Sequence, residues 1–158
     1  PVEHLGYNLR LSDIQGAVGL AQLSKLRNFL MERRSWAEKY HRELEKLDEL
    51  VPPSVPDKAE HTYQSYVVRL RSGNRLRRNQ LMDYLSEHGI WTRPGTHAVH
   101  RLTLYSKKYG IKSEAYPNAS RGEDETITLP LYYGMIAEDF DRVVLLIKEA
   151  LHKTRKIK

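Results

Sequence analysis

The chain of 158 residues contains no cysteine. That absence excludes a disulfide frame, a thiolate metal centre and a cysteine nucleophile, and it fits a reducing compartment, so a cytoplasmic location is expected. Long apolar runs are lacking as well: VVLLI at residues 143–147 is far shorter than the roughly 20 residues of a spanning helix, and no membrane partner is expected. No secretory signal, internal repeat or low-complexity segment stands out. Metal ligands at useful spacing are also scarce. His97 and His100 stand three apart, as two ligands on one helical face would, but no third ligand accompanies them and no metal site is expected.

What is present is enough apolar sequence for one core, at 40% hydrophobic residues, and too little length for two ordinary domains. The net charge of +6 is unevenly placed, with Arg69, Arg71, Arg75, Arg77 and Arg78 in one block and Lys148, Lys153, Arg155, Lys156 and Lys158 in a tail. That sign fits nucleic acid or a phosphorylated small molecule. It fits a solvated basic face equally well. The block lacks interleaved aromatics for base stacking, which weighs against a free-standing nucleic-acid-binding module.

Local patterns outline the elements. Ser12 with Gln15 three residues later has the spacing of a capping box, so a helix starts there. Apolar residues at Leu26, Leu30, Ala37, Tyr40, Leu44 and Leu47 extend it to about Leu47, as one long helix or as two with a bend near Asn28; Arg33 alone breaks the spacing. The prolines of VPPSVPDKAEH end it in a surface connection. TYQSYVVRL alternates as a strand does. Asn74 is placed to cap a second helix through Leu81 and Leu85, with Gly89 as its left-handed stop and Ile90 folding back onto it. An extended IWTR, an irregular region with a short helix near LTLYSKKY, a strand TITLP and a helix burying Phe140, Val143, Val144, Ile147, Ala150 and Leu151 complete the chain. The order implies an α/β fold, a small sheet covered by helices.

Three stretches carry chemistry when read together: GYNLRLSDIQGAVGLAQL, HGIWTRPGTHAVHRLTLY and ITLPLYYGMIAEDFDRVVLLI. In order and composition they resemble the carboxy-terminal part of the DegT/StrS-type nucleotide-sugar aminotransferases, pyridoxal-phosphate enzymes of the aspartate aminotransferase fold. The likeness runs from Gly6 to about Ile147. It implies a small domain of fold type I, with a mainly antiparallel sheet under helices and a long N-terminal helix. Residues 1–50 would form the dimer-facing motif and long helix, and residues 62–150 the sheet. The cofactor-bearing lysine, the aspartate on the pyridine nitrogen and the stacking aromatic lie upstream of this motif in the family, so the 158 residues read as a fragment, inactive alone, with none of its lysines catalytic.

The resemblance also implies roles. Asn8 would reach across a homodimer to donate to the partner's cofactor phosphate, and Arg10 would face phosphate or substrate as a planar cation. His100 aligns with a histidine that lines the sugar pocket; His97 is a displaced counterpart, and Arg93 would contact a nucleotide-sugar phosphate. The whole enzyme would move an amino group from glutamate to a nucleotide-linked keto-deoxy-sugar. A sugar dehydratase of the same family, using pyridoxamine phosphate with histidine in place of the lysine, is the alternative. Gly16, Ala17 and Gly19 would let the start of the helix pack closely on another helix or on the partner subunit, offsetting a propensity cost of about 1 kcal/mol per glycine.

Overall fold

Ser12 starts the first helix as its spacing predicts: its hydroxyl accepts the Gln15 amide at 3.3 Å, and Gln15 Oε1 accepts the Ser12 amide at 3.0 Å. The computed structural model describes residues 10–71 and 73–154, and in it this helix, α1, spans Asp13–Leu23 while a second, α2, spans Leu26–Leu44. Two helices, not one, are therefore present. The break falls at Ser24 and Lys25, ahead of the bend expected near Asn28. There the Ser24 hydroxyl donates to Ala21 O at 2.9 Å and the Lys25 amide reaches back only to Gln22 O at 3.0 Å, a tighter bond that interrupts the helical ladder.

α1 buries no residue. Leu11, Ile14, Val18, Leu20 and Leu23 all face outward, Ile14 being 79% exposed. A methyl group at Gly19 would meet nothing within 4 Å, and one at Gly16 only Leu11 Cδ2 at 3.9 Å. Among the described residues, then, the close helix packing expected of Gly16, Ala17 and Gly19 is not made within this chain.

The sheet has four antiparallel strands, β1 (Leu50–Val51), β2 (Tyr66–Leu70), β3 (Arg93–Pro94) and β4 (Thr126–Leu129), in the order β1-β2-β4-β3. β1 corrects the reading of VPPSVPDKAEH as connection alone: Val51, its first residue, pairs with Arg69, and the prolines that follow stop the strand at two residues. Tyr66, Val68, Leu70, Ile127 and Leu129 point to one face of the sheet and are buried there. α2, α3 (Arg75–Glu87) and α6 (Ala137–Thr154) cover that face, contributing Trp36, Tyr40, Leu44, Leu81, Leu85, Phe140 and Ile147 to a single core. Each such side chain contributes roughly 1.5–3 kcal/mol on burial.

Capping residues place these helices. Asn74 Oδ1 accepts the Arg77 amide at 2.9 Å to begin α3. Gly89, at φ +80°, ends it, and the Ile90 amide turns back to Leu85 O at 2.8 Å. That turn leads into β3 at the edge of the sheet. Two short helices follow, α4 (Thr103–Tyr109) and α5 (Pro117–Glu125). α5 has no counterpart in the sequence reading because PNASRGEDE carries no apolar stripe; it begins on a proline at its first turn and packs over the second face of the sheet, where Arg69 pairs with Glu125 at 3.2 Å.

Candidate functional site

β3 and the segment that leaves it, residues 93–101, carry most of the residues that the resemblance marks. Arg93 is exposed, and its Nη2 donates to Ser65 Oγ at 3.2 Å. Gly95 then crosses directly over β2 and β4: a Cβ there would lie 2.8 Å from Thr126 Cβ and closer still to Val67 Cγ1 and Thr126 Oγ1. Only glycine allows this approach. It brings the chain down onto α5, where His97, with a 70% exposed side chain, has Nδ1 3.8 Å from Glu123 Oε1.

His100 sits beneath, only 6% exposed. Its Nε2 lies 3.0 Å from Ser113 O and 3.3 Å from the Ser120 hydroxyl, and its ring packs against Tyr116 at 5.1 Å between centroids. With a carbonyl facing it, Nε2 is the protonated nitrogen, donating to Ser113 O. His97 is thus presented to solvent while His100 fastens the segment to the turn at Ser113–Ala115.

A group that the sequence did not single out holds this segment in place. Arg101 Nη1 donates to Asp124 at 2.8 and 2.9 Å and to Glu123 Oε2 at 3.1 Å, while Arg75 reaches the same two carboxylates at 2.9 Å each. Burial pushes the Asp124 carboxyl up, but hydrogen bonds from Arg101 and Arg75 outweigh it and hold the group below its ordinary range. The Asp124 hydrogen bond in turn raises Arg101. Among the described residues Arg101 Nε is buried without a hydrogen-bond partner, so this guanidinium retains an unused donor there. A cleft of about 650 Å³ opens here, lined among others by Arg75, His100, Arg101, Ser113, Glu123 and Asp124.

The same pairs account for the basic block. Arg69 pairs with Glu125, Arg75 with Glu123 and Asp124, and Arg77 with Glu49, while Arg71 donates to Asp48 O. Arg78, 4% exposed, donates to Asn79 Oδ1 at 2.8 Å and Glu123 O at 3.0 Å, and burial lowers its pKa. These cations are paired with groups of the same chain, and a nucleic-acid surface is not favoured.

Of the remaining marked residues, Arg10 is exposed two positions ahead of the Ser12 cap, and Asn8 lies outside the described residues. Among the described residues no cluster of histidine, aspartate and glutamate is arranged to hold a metal, and no helix is long and apolar enough to cross a membrane.

Known proteins share this fold and sequence. The chain is 29% identical over 150 residues to the spore coat polysaccharide biosynthesis protein SpsC of Bacillus subtilis, covering 94% of this chain and 39% of that protein. It is 29% identical over 148 residues to GDP-perosamine synthase of Caulobacter vibrioides, covering 93% and 39%. Among solved structures, the putative sugar aminotransferase Spr1654 of Streptococcus pneumoniae in its PMP form superimposes with a TM-score of 0.86 at 24% identity, over 92% of this chain and 36% of that one. The aminotransferase TlmJ of Streptoalloteichus hindustanus gives 0.85 at 25% identity, over 98% and 40%. The chain therefore spans about two-fifths of the length of the relatives it matches, and its fold is that of a part of the fold-type I aminotransferases. With residues 2–148 matched by the family model, the chain belongs to the DegT/DnrJ/EryC1/StrS aminotransferase family.

Proposed function

We propose that this chain is the C-terminal small domain of a pyridoxal-phosphate-dependent enzyme that moves an amino group from glutamate to the keto carbon of a nucleotide-linked deoxy-sugar. The observation that carries the reading is the family match across residues 2–148, together with relatives named for spore coat polysaccharide biosynthesis and GDP-perosamine synthesis. The enzyme would work in the cytoplasm as a homodimer.

The cofactor fits the chemistry of the donors present. Asn8 offers a neutral amide and Arg10 a planar cation, both suited to a phosphate ester, and Arg10 stands just before the amino end of α1, where backbone amides favour an anion. When bound, pyridoxal phosphate supplies the electron sink for the amino transfer. This chain's residues do the holding and orienting. Asn8 and Arg10 bind the phosphate across the dimer, the exposed α1 face meets the partner subunit, and Gly16 and Gly19 permit that approach. Arg93 binds the diphosphate of the nucleotide. His97 hydrogen-bonds a sugar hydroxyl. His100 lines the sugar cleft and keeps His97 in position through Ser113 O.

The test is to purify the enzyme that carries this chain, load it with pyridoxal phosphate and offer glutamate with UDP-, GDP- and dTDP-linked keto-sugars. An amino sugar and 2-oxoglutarate should appear in equal amounts with one of them. Sugar dehydration without 2-oxoglutarate would instead establish the dehydratase reading.

A further inference from the structure

Trp91 stands two residues before Arg93, in GIWTR. Exposure alternates along this extended stretch. Ile90 is buried, Trp91 is 82% exposed, Thr92 has its Oγ1 buried, and Arg93 is exposed again. Two residues of extended chain place Trp91 and Arg93 roughly 7 Å apart on the outward side. A tryptophan carries 150–250 Å² of apolar surface and is seldom left bare. Here its ring meets no aromatic or cationic partner among the described residues.

Beside it lies a cleft of about 350 Å³ with both apolar walls and fixed charges. Trp91, Pro130, Tyr132 and Met135 form the walls, and Asp139 and Arg142 the polar edge. The two charged groups are held rather than loose: Asp139 Oδ2 accepts the Tyr132 hydroxyl at 2.6 Å, and Arg142 Nη2 donates to His88 O at 2.8 Å. Each keeps further capacity, since a carboxylate accepts at about four positions and a guanidinium donates from five.

A bare indole, a carboxylate acceptor and a guanidinium donor, one short step from an exposed arginine, match a nucleobase joined through a ribose to a diphosphate. We propose that Trp91 is the stacking platform for the base of the nucleotide-linked substrate, with the cleft at Asp139 and Arg142 as the edge that reads it; this rests on the nucleotide-sugar reading above. The charged edge favours a polar planar ligand over an apolar covering segment of the same enzyme.

Calorimetric titration of the enzyme carrying this chain with UDP, GDP, dTDP and inorganic pyrophosphate tests the assignment. The wild type should bind one nucleoside diphosphate more tightly than pyrophosphate. Trp91→Ala should weaken that nucleotide by roughly 10- to 100-fold while pyrophosphate affinity and the melting temperature stay unchanged, and Trp91→Phe should keep most of the affinity. An undiminished nucleotide preference in Trp91→Ala overturns this proposal alone. A falling melting temperature with nucleotide and pyrophosphate affinity lost together also overturns it, placing Trp91 under another part of the enzyme. No nucleotide preference in the wild type overturns both this proposal and the nucleotide-sugar reading.

Discussion

Gly95 and Arg33 carry the strongest residue-level constraints. At Gly95 a methyl group would be pressed into the side chains of Thr126 and Val67, on the paired strands β4 and β2. Gly95→Ala should therefore cost about 1–3 kcal/mol in urea unfolding, and a variant of wild-type stability would contradict the close crossing. Arg33 breaks the apolar spacing of α2 because it is not there to pack. Its Nη1 donates to Tyr63 O at 3.0 Å, Gln64 O at 3.3 Å and Leu131 O at 3.2 Å, tying α2 to the connection before β2 and to the exit of β4. Arg33→Leu restores a perfect apolar pattern and should nonetheless destabilise by about 2 kcal/mol, since it strips a charged donor from three carbonyls. At His100 the alanine variant removes the Nε2 donor from Ser113 O and leaves that carbonyl with only the longer bond from the Ser120 hydroxyl at 3.3 Å, so both the melting temperature and the sugar half-reaction should fall while the glutamate half-reaction survives. His100→Gln, which can still donate, should recover part of each; equal losses in the two half-reactions would show His100 to be structural only.

α5 is the element on which the site depends, and its hold is electrostatic. Asp124 is depressed in the folded state, so the stability it brings is present above about pH 4, where the unfolded carboxyl is ionised, and is lost as pH falls through the lower folded value. Asp124→Asn should flatten the acid limb of a melting-temperature profile below about pH 4, while costing about 1 kcal/mol or less at neutral pH because the group is partly exposed. An unchanged acid limb would contradict the Arg101–Asp124 pairing. The elements legible in the sequence were those whose signals are local: the Ser12 cap, the Asn74 cap, the Gly89 stop, the alternation of β2 and β4, and the apolar face of α6. β1 and α5 were not legible because neither shows its periodicity. One is two residues long and the other is polar throughout, held by partners such as Arg75 and Arg101 that lie 22 to 49 positions away. The block of arginines likewise read as a surface, since sequence does not reveal that GEDE at residues 122–125 lies against it.

At the scale of the whole molecule, one end of the chain is a finished core and the other is not. α2, α3 and α6 close over the sheet, while α1 stands with four large apolar side chains outward, Ile14, Val18, Leu20 and Leu23. The motif before α1 carries the family resemblance in the sequence, while Gly16 and Gly19 of α1 are packed against no other helix within the described residues of this chain. If Asn8 serves the partner's phosphate, subunits carrying Asn8→Ala mixed with subunits lacking the catalytic lysine should regain part of their activity. The intact lysine then receives its asparagine from the other chain. Verified heterodimers without activity would confine Asn8 to its own subunit. Residues 93–97 of this chain are proposed to serve the sugar nucleotide and not the amino donor. Stopped-flow measurement of the two half-reactions in Arg93→Ala/His97→Ala enzyme tests this most directly. The glutamate half-reaction should stay within about two-fold of wild type and the nucleotide-sugar half-reaction should slow by roughly 100-fold, the loss of the Arg93 and His97 contacts; equal slowing of both, or of neither, would place residues 93–97 elsewhere in the reaction.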